Sequence, residues 1–418
     1  MNRTEFYERY ARVIVSVGLN VQENQEVVIS APVEAVEFVP TVVAECYRRG
    51  ASLVQVFYRD QAVTRARLEH AREDTLDLTP DAMIAERVRI GRSGGASLAI
   101  RGSDPFGLAG VDAARQGRMN RAMAAASSEL RDLGMKDHFP WCLVSMPDTA
   151  WAKRVFPDRS EGDALDALYD VVAQVCRLDA PDPVAAWKAH SRRLTSIATW
   201  LTDQAFDEFI YHAPGTDLTV GMPQQQRWIG TEGTSANGVR FIANMPTDEV
   251  FSAPDWRRVE GRVSSTRPLV LNGTPVGKVT FEVEGGRIVE ATSEENQAVL
   301  EQELDLDDRA RYFGEIAFVS EEAPIAKLNT TFFDGLYDEN AGCHLAFGNA
   351  YATCLQGGEE MSREDRRAAG LNTSSQHQDV TVGSDQLNII GRSKNGEEVS
   401  VLERGRWSDA VLSAVDNS

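Results

Sequence analysis

The chain has 418 residues, 42% of them hydrophobic and 25% charged, and its formal net charge is −20. A chain of this length has more residues than a single hydrophobic core usually holds, so we expect a globular protein of two domains. The negative charge repels nucleic acid and anionic lipid, and we therefore expect neither nucleic acid nor a membrane as a partner.

The cysteines and the apolar segments indicate a cytoplasmic protein. No apolar run reaches the roughly 20 residues that span a bilayer, and the first residues lack the apolar core of a secretion signal. The five cysteines lie far apart, and no C-x-x-C pair occurs. This spacing argues against a disulfide framework and a zinc finger, and it is typical of buried thiols in a reducing compartment.

The first part of the chain alternates helices and strands. Apolar residues recur at helical spacing from Phe6 to Val17, and Gly18 is expected to end that helix. Short apolar strands are predicted at Glu26–Ser30, Ser52–Tyr58, 96–102 and Trp141–Pro147, with helices at 35–50 and 81–89. Strands that alternate with helices form parallel βαβ units. We expect an α/β domain with an open, mostly parallel sheet.

The second part has a different pattern. After two helical stretches, Glu161–Leu178 and Asp182–Leu201, the chain reads as strands joined by turns. Hairpin turns are predicted at the pairs Asn272-Gly273, Gly285-Gly286 and Asn395-Gly396. We expect an N-terminal α/β domain over residues 1–190 and a strand-rich α+β domain over residues 191–418.

Acidic and imidazole side chains recur in the second domain, and one pair is closely spaced. His377 and Asp379 lie two residues apart in a stretch that alternates like a strand, so both point to one face. Further candidates are Glu249 in a proline-bounded loop, Glu315 at the mouth of an apolar strand, and His344 among small, apolar residues. An imidazole and a carboxylate aimed at one point suggest a metal ion.

The stretch around His344 also contains a tyrosine. If this stretch is helical, Tyr351 lies two turns after His344 on the same face, with Gly348 between them. The glycine would then allow another group to approach that face closely.

Together the candidates offer three carboxylates and two imidazoles. This set suits divalent ions such as zinc, cobalt or manganese, and five ligands suit two ions that share a carboxylate and leave a position for water. Each residue also has an ordinary interpretation, such as a core histidine, a capping glutamate, a solvated acidic loop, a packed tyrosine or a surface ion pair. Spacing alone leaves both interpretations open.

Several long phrases resemble a known family, the thermophilic-type metallo-aminopeptidases, often called leucyl aminopeptidases. The phrases that carry the resemblance are PGTDLTVGMP, NMPTDEVFSAPDWRRVEGRVSSTRPL, GEIAFV, FFDGLYDENAGCHLAFGNAY and NTSSQHQDVTVGS. The first domain agrees, because GLNVQENQEVVISAPVEA, RRGASLVQVFY and WAKRVFPD are similar to the N-terminal domain of that family. The resemblance covers nearly the whole chain.

The resemblance implies an aminopeptidase that acts on peptides with a free N-terminus, forms a homodimer and binds two divalent metal ions per chain. The ions expected are zinc, cobalt, manganese or magnesium. The metal ligands that the matching motifs imply are Glu249, Glu315, His344, His377 and Asp379. Tyr351 matches the active-site tyrosine of the family, and we expect Glu249 or Glu315 to shuttle a proton.

The chain departs from the family pattern at two places. The residues after Asp379 are Val-Thr-Val, where the family commonly has large apolar side chains, so the preferred N-terminal residue of the substrate is in doubt. The acidic pair of the family is often Glu-Glu, and it is Asp248-Glu249 here, which keeps the implied ligand.

Two other functions remain to be weighed. A distant branch of the same superfamily contains mononuclear iron dioxygenases that open dihydroxypyridine rings. Such enzymes look like relatives that keep a His, His and Asp set and need no second metal site. A third hypothesis is a non-catalytic metal-binding or scaffolding protein built on this fold. Because Glu249 and Glu315 are both present, we favour the two-metal peptidase.

Overall fold

The structure, a computed structural model, describes residues 1–271 and 274–416. The chain divides into two compact units. The first contains Met1–Ala189 and Glu232–Pro246, and the second contains His190–Thr231 and Thr247–Ser418. The division by sequence gave residues 232–246 to the second domain, whereas they belong to the first unit.

Helices dominate the first unit and strands the second. The helices are α1 Arg3–Val13, α2 Val39–Arg48, α3 Gln61–His70, α4 Asp81–Arg92, α5 Ala113–Ala126, α6 Ser128–Met135, α7 Thr149–Val155, α8 Glu161–Val175, α9 Pro183–Gln204, α10 Gln297–Leu304, α11 Gly335–Asp338, α12 Arg363–Ala368 and α13 Asp409–Asp416. Shorter helical turns are Ile14–Gly18, Val33–Ala35, Glu73–Thr75, Ala326–Leu328, Glu339–Ala341, Ala352–Cys354 and Gly358–Glu360. Within the described ranges, no helix has both the length and the apolar character of a membrane span.

The strands are, in chain order, β1 Glu26–Pro32, β2 Leu53–Arg59, β3 Ala96–Arg101, β4 Trp141–Ser145, β5 Glu208–Ala213, β6 Thr216–Gly221, β7 Glu232–Thr234, β8 Arg240–Ile242, β9 Asn244–Met245, β10 Glu249–Ser252, β11 Val259–Ser264, β12 Leu269–Leu271, β13 Thr274–Gly277, β14 Val279–Glu284, β15 Arg287–Ser293, β16 Phe313–Val319, β17 His344–Gly348, β18 His377–Thr381, β19 Asn388–Arg392, β20 Glu398–Glu403 and β21 Arg406–Trp407.

The first unit contains the expected parallel sheet. Its strands lie in the order β2-β1-β3-β4-β9, and every neighbouring pair is parallel. β1 lies between two strands and is buried along almost its whole length, as expected for a continuous apolar run in a parallel sheet. The last strand, β9, belongs to residues 232–246 and pairs with β4, which explains why this segment joins the first unit.

Antiparallel strands build the second unit, as predicted. One sheet has the order β15-β14-β11-β6-β5-β19-β20-β21. Gly285-Gly286 joins β14 to β15, and Asn395-Gly396 lies between β19 and β20, and all three glycines have positive φ. Glycine adopts this conformation without strain, so both hairpin predictions are confirmed. The third predicted turn, Asn272-Gly273, lies outside the described residues.

A smaller antiparallel sheet carries the candidate ligands. Its strands lie in the order β10-β16-β17-β18. Residues of β16 and β17 are buried at every position, because each strand has a neighbour on both sides and is covered on both faces. The helical interpretation of the stretch around His344 is therefore wrong, since His344–Gly348 is the strand β17.

Aromatic side chains centre the core of the second unit on Phe318. The ring of this fully buried residue lies 4.7 Å from the ring of Trp228 and 5.2 Å from that of Phe209. Tyr211 and Trp407 complete the contacts. Phe318 is on β16, so the core fixes the strand that also carries Glu315.

We predict that Phe318→Ala lowers the free energy of unfolding by about 3–5 kcal/mol, since the truncation leaves a cavity among rigid aromatic rings. Urea denaturation followed by tryptophan fluorescence measures this loss. Val289→Ala, at a side chain that is 45% exposed on β15, is the control and should change the value by less than about 0.5 kcal/mol. A similar loss in both variants would contradict the assignment of Phe318 to the centre of the core.

Candidate metal centre

Strand pairing puts four of the candidate ligands on one face of the smaller sheet. Glu315 on β16 is paired with Ala346 on β17, and Ala346 is paired with Asp379 on β18. Directly paired residues of neighbouring strands point to the same face, so Glu315 and Asp379 share a face. His344 and His377 each lie two positions from a member of this row, and alternation along a strand returns them to the same side.

The fifth candidate reaches this face from the edge of the sheet. Glu249 is the first residue of β10 and is paired with Val319 on β16. Val319 lies four positions after Glu315, so the alternation of the strand gives Glu249 the same side. The sequence analysis put Glu249 in a loop, and the structure has it at the point where that loop becomes a strand.

The five side chains approach within contact distance. Nε2 of His344 lies 3.3 Å from Oε2 of Glu249 and 3.4 Å from Oε1 of Glu315. Nε2 of His377 lies 3.5 Å from Oε2 of Glu315 and 3.3 Å from Oδ1 of Asp379. Two triads result, Glu249–Glu315–His344 and Glu315–His377–Asp379, and in each the donor atoms lie within 4.8 Å of one another. Glu315 belongs to both triads, with one oxygen facing each histidine.

Backbone carbonyls orient both imidazoles. The carbonyl of Gly342 lies 3.2 Å from Nδ1 of His344, and the carbonyl of Asn349 lies 2.8 Å from Nδ1 of His377. A carbonyl only accepts, so Nδ1 is the protonated nitrogen of each neutral ring. Nε2 of each ring then directs its lone pair toward the carboxylates, as in a metal-binding histidine whose other nitrogen is held by the protein.

Burial dominates the electrostatics of the acids. Desolvation raises the pKa of Glu249 above its usual range, His344 counteracts this shift, and the charge of Glu315 adds to it. Burial also opposes a charge on Asp379, but the hydrogen bond and the charge of His377 hold the pKa of this carboxyl below its ordinary value. These carboxylates therefore need positive charge close by.

Without another cation, the histidines supply that charge. Burial by itself lowers the pKa of His344, but Glu315 and Glu249 more than reverse this effect and raise it to about 10. The pKa of His377 is likewise raised to about 10 by Asp379 and Glu315 against the effect of burial. A divalent ion would replace these protons and leave both rings neutral.

The donor set fits divalent metal ions. Oε2 of Glu249 is buried and accepts no hydrogen bond in the part of the chain that the structure describes. A buried carboxylate oxygen in this state costs free energy unless a cation meets it. Carboxylate oxygens together with imidazole nitrogens, without thiolate, are typical ligands of zinc, cobalt and manganese.

Tyr351 reaches the site from the end of a strand and not from a helical face. It follows β17 by three residues, and its ring lies 5.3 Å from the ring of His377 and 5.9 Å from that of Phe251. Burial, followed by the charges of Glu315 and Asp379, raises its pKa well above the ordinary value, so the hydroxyl stays protonated. Tyr351 can therefore donate a hydrogen bond beside the carboxylates.

Gly348 allows the close approach that the sequence predicts, but at the end of a strand and not on a helical face. Its φ is +111°, and a Cβ atom there would lie 2.3 Å from the carbonyl oxygen of Gln376. The group that approaches this glycine is therefore the backbone of the segment leading into β18, and not a ligand. The close approach lies beside the pairing of Gly348 on β17 with His377 on β18.

A further acid near the site was missed by the sequence analysis. Burial, followed by the charges of Glu249 and Asp379, raises the pKa of Glu339 well above its ordinary value, so its carboxyl group is within electrostatic reach of these two candidate ligands. Glu339 belongs to the short turn Glu339–Ala341, five residues before His344. Glu339 lies in the letters DENA of the phrase FFDGLYDENAGCHLAFGNAY, which carries the family resemblance, and this position could have marked it as a site residue.

Comparisons with known proteins agree with this geometry. The model of the family described as thermophilic metalloprotease (M29) matches residues 4–407. The chain is 39% identical over 404 residues to aminopeptidase T of Thermus aquaticus. The alignment covers 97% of this chain and 98% of the relative. It is 37% identical over 407 residues to aminopeptidase PepS of Streptococcus thermophilus, covering 97% and 98%. The solved structure of wild-type AmpT from Thermus thermophilus superposes with a TM-score of 0.92 at 38% identity, over 97% of this chain and 100% of that one.

We predict that a chelator lowers the midpoint of thermal unfolding and that zinc, cobalt or manganese restores it. An ion that binds the folded state at 100 times its Kd stabilises that state by about 2.7 kcal/mol. Glu315→Gln should abolish the response, because Glu315 belongs to both triads. Glu322→Gln, at an exposed glutamate of the same unit, should retain it. A full metal response in Glu315→Gln, measured by differential scanning calorimetry, would contradict the site.

Proposed function

Because this chain belongs to the thermophilic metalloprotease family M29 and is a metal-dependent aminopeptidase, we propose that Glu249, Glu315, His344, His377 and Asp379 hold two divalent ions for the removal of N-terminal residues from peptides. The observation that carries the proposal is the orientation of Glu315. Its Oε1 faces His344 and its Oε2 faces His377, which is the arrangement of a carboxylate that bridges two ions.

The two triads support a pair of ions. Each triad supplies carboxylate oxygen and imidazole nitrogen, and three protein ligands per ion leave positions for water and substrate. Zinc, cobalt, manganese and magnesium are the ions proposed. When bound, two such ions lower the pKa of a water molecule and polarise the carbonyl of the scissile bond.

The chain's own residues then complete the reaction. Tyr351, which stays protonated, donates a hydrogen bond to the oxyanion that develops on the scissile carbonyl. Glu249 or Glu315 receives the proton that the attacking water loses and passes it to the leaving amine. Burial and the charges of Glu249 and Asp379 raise the pKa of Glu339, so its carboxyl group would be ionised only when a cation, such as a further metal ion or the α-ammonium group of the substrate, lies beside it.

The alternative functions have less support. The relatives described above are named as aminopeptidases, and the ring-cleaving iron dioxygenase finds no support among them. A mononuclear iron site with a His, His and Asp set would also leave the buried carboxyl groups of Glu249 and Glu315 without a metal ion to bind. A non-catalytic metal-binding protein would bind the ions but hydrolyse no aminoacyl chromogenic substrate.

The setting of the enzyme is also a proposal. We propose that it works in the cytoplasm as a homodimer and that the C-terminal domain over residues 191–418 carries catalysis. The buried cysteines support a reducing compartment, and the position of the candidate ligands in the second unit supports the division of roles.

We predict that His377→Ala leaves the fold intact and removes metal-dependent cleavage of leucine p-nitroanilide. The loss in kcat/KM should be at least as large as for the removal of one oxyanion donor, about 10²–10³-fold. The exposed His212, in the same unit, is the control, and His212→Ala should keep full activity. Full turnover by His377→Ala with zinc, cobalt or manganese supplied would reject the assignment.

Tyr351→Phe tests the proposed oxyanion donor. We expect kcat to fall about 10²–10³-fold while the metal content per chain stays that of the wild type. Tyr58→Phe, at an exposed tyrosine of the first unit, is the matched control and should leave kcat unchanged. If the kcat of Tyr351→Phe stays within a factor of two or so of the wild type, the hydroxyl does not stabilise the transition state.

A further inference from the structure

The segment immediately before Glu249 is buried and held by side chains from elsewhere in the second unit. Thr247 and Asp248 are 4% and 6% exposed, so the polar groups of their backbone need partners inside the protein. Glu249 begins β10, and the position of its side chain at the site depends on the backbone that leads into this strand. Two side chains, Asn340 and His190, contact that backbone.

Asn340 joins this segment to the turn Glu339–Ala341, to which it belongs. It is fully buried, and its Oδ1 accepts a hydrogen bond of 2.7 Å from the backbone N–H of Asp248. Its Nδ2 donates to the carbonyl of Leu336 at 3.0 Å and lies 3.4 Å from Oε1 of Glu339. One amide side chain therefore links the residue before Glu249 to the turn that carries Glu339.

His190 contacts the same segment from α9. Its Nε2 lies 2.8 Å from the carbonyl oxygen of Thr247 and 3.4 Å from Oδ1 of Asp248. Both of these atoms are acceptors, so Nε2 carries the hydrogen. Asn340 thus holds the N–H on one side of the segment, and His190 holds a carbonyl one residue earlier.

We propose that Asn340 and His190 are positioning residues that hold the backbone before Glu249, and thereby set the distance between Glu249 and the other ligands. The inference rests on the proposed function, because it concerns the ligand geometry of the same site. Neither side chain touches the reacting atoms. They act through Glu249, and Asn340 acts through the turn of Glu339 as well.

The physical reason lies in the geometry that two ions require. Loss of the Asn340 side chain leaves the N–H of Asp248 buried without its acceptor, and the segment can then relax only by moving. Ligands must be held within about 0.5 Å of their productive positions for full affinity. Removal of groups that orient metal ligands typically weakens metal affinity about 10–100-fold.

The test measures zinc affinity by isothermal titration of the chelator-treated, full-length chain. We expect Asn340→Ala to raise the Kd of at least one ion about 10–100-fold. Activity on leucine p-nitroanilide should recover when the zinc concentration is raised by the same factor. Asn340→Thr, which fills more of the space than alanine but is too short to reach the N–H of Asp248, should show the same shift if the alanine variant does not fold.

Two comparisons separate positioning from general stability. Gln226→Ala removes another buried amide of this unit, one that donates to Phe206 and accepts from Trp228, and it should lower the unfolding midpoint without changing zinc affinity. His190→Ala should weaken zinc binding. His190→Gln, whose Nε2 reaches the same place with a hydrogen, should restore it. The partly exposed His190 gives a readout even if no Asn340 variant folds.

The outcomes are distinguishable. If the wild type binds none of zinc, cobalt, manganese and magnesium, the proposed function fails, and the inference fails with it. If the wild type binds zinc and the Asn340 and His190 variants bind it equally well, the proposed function stands and the inference is wrong. Equal weakening in the Gln226 control would also overturn the inference, since the shift would then reflect stability alone.

Discussion

The structure depends on how the charges of the acidic side chains at the candidate metal centre are balanced. Glu249, Glu315 and Asp379 share one face of a small antiparallel sheet; Glu249 and Glu315 are buried, and Asp379 is partly exposed. Burial raises the pKa of Glu249 above its ordinary value, and the hydrogen bond and charge of His377 hold the pKa of Asp379 below its own against burial, so these two acids call for positive charge beside them. In the absence of other cations, two histidines are driven to hold protons, with pKa values of about 10. Divalent ions would neutralise the carboxylates in place of these protons, with more charge in a smaller volume, and the acids would then serve as metal ligands.

The fold supplies rigidity where this balance requires it. The strands that carry the proposed ligands are hydrogen-bonded across the sheet, and β16, which carries Glu315, is anchored in the core by Phe318. Close backbone contacts reinforce the spacing, since a Cβ atom at Gly314 would lie 2.4 Å from the carbonyl oxygen of Asn349. Because that carbonyl accepts from Nδ1 of His377, the same contact helps to orient an imidazole. The carbonyl of Asn349 therefore both packs closely against Gly314 and orients the ring of His377.

The sequence predicts much of this arrangement, and its failures have physical causes. The βαβ order and the hairpin glycines are local signals, and the spacing of His377 and Asp379 specifies one strand face directly. The stretch at His344 is apolar at every position because both faces of β17 are buried, and such a run cannot be told from a helix by periodicity. Glu339 reads as an ordinary solvated acid, since its burial arises only from tertiary packing. The strand β9 is two residues long and was too short to identify.

Anomalous diffraction from crystals of the metal-loaded protein tests the central claim most directly, because it locates the ions without reference to activity. Two peaks about 3.5–4 Å apart are expected between Glu249, Glu315, His344, His377 and Asp379, with one oxygen of Glu315 bound to each ion. A single peak per chain, or peaks that leave Glu315 without an ion on one of its oxygens, would contradict the bridged two-metal centre.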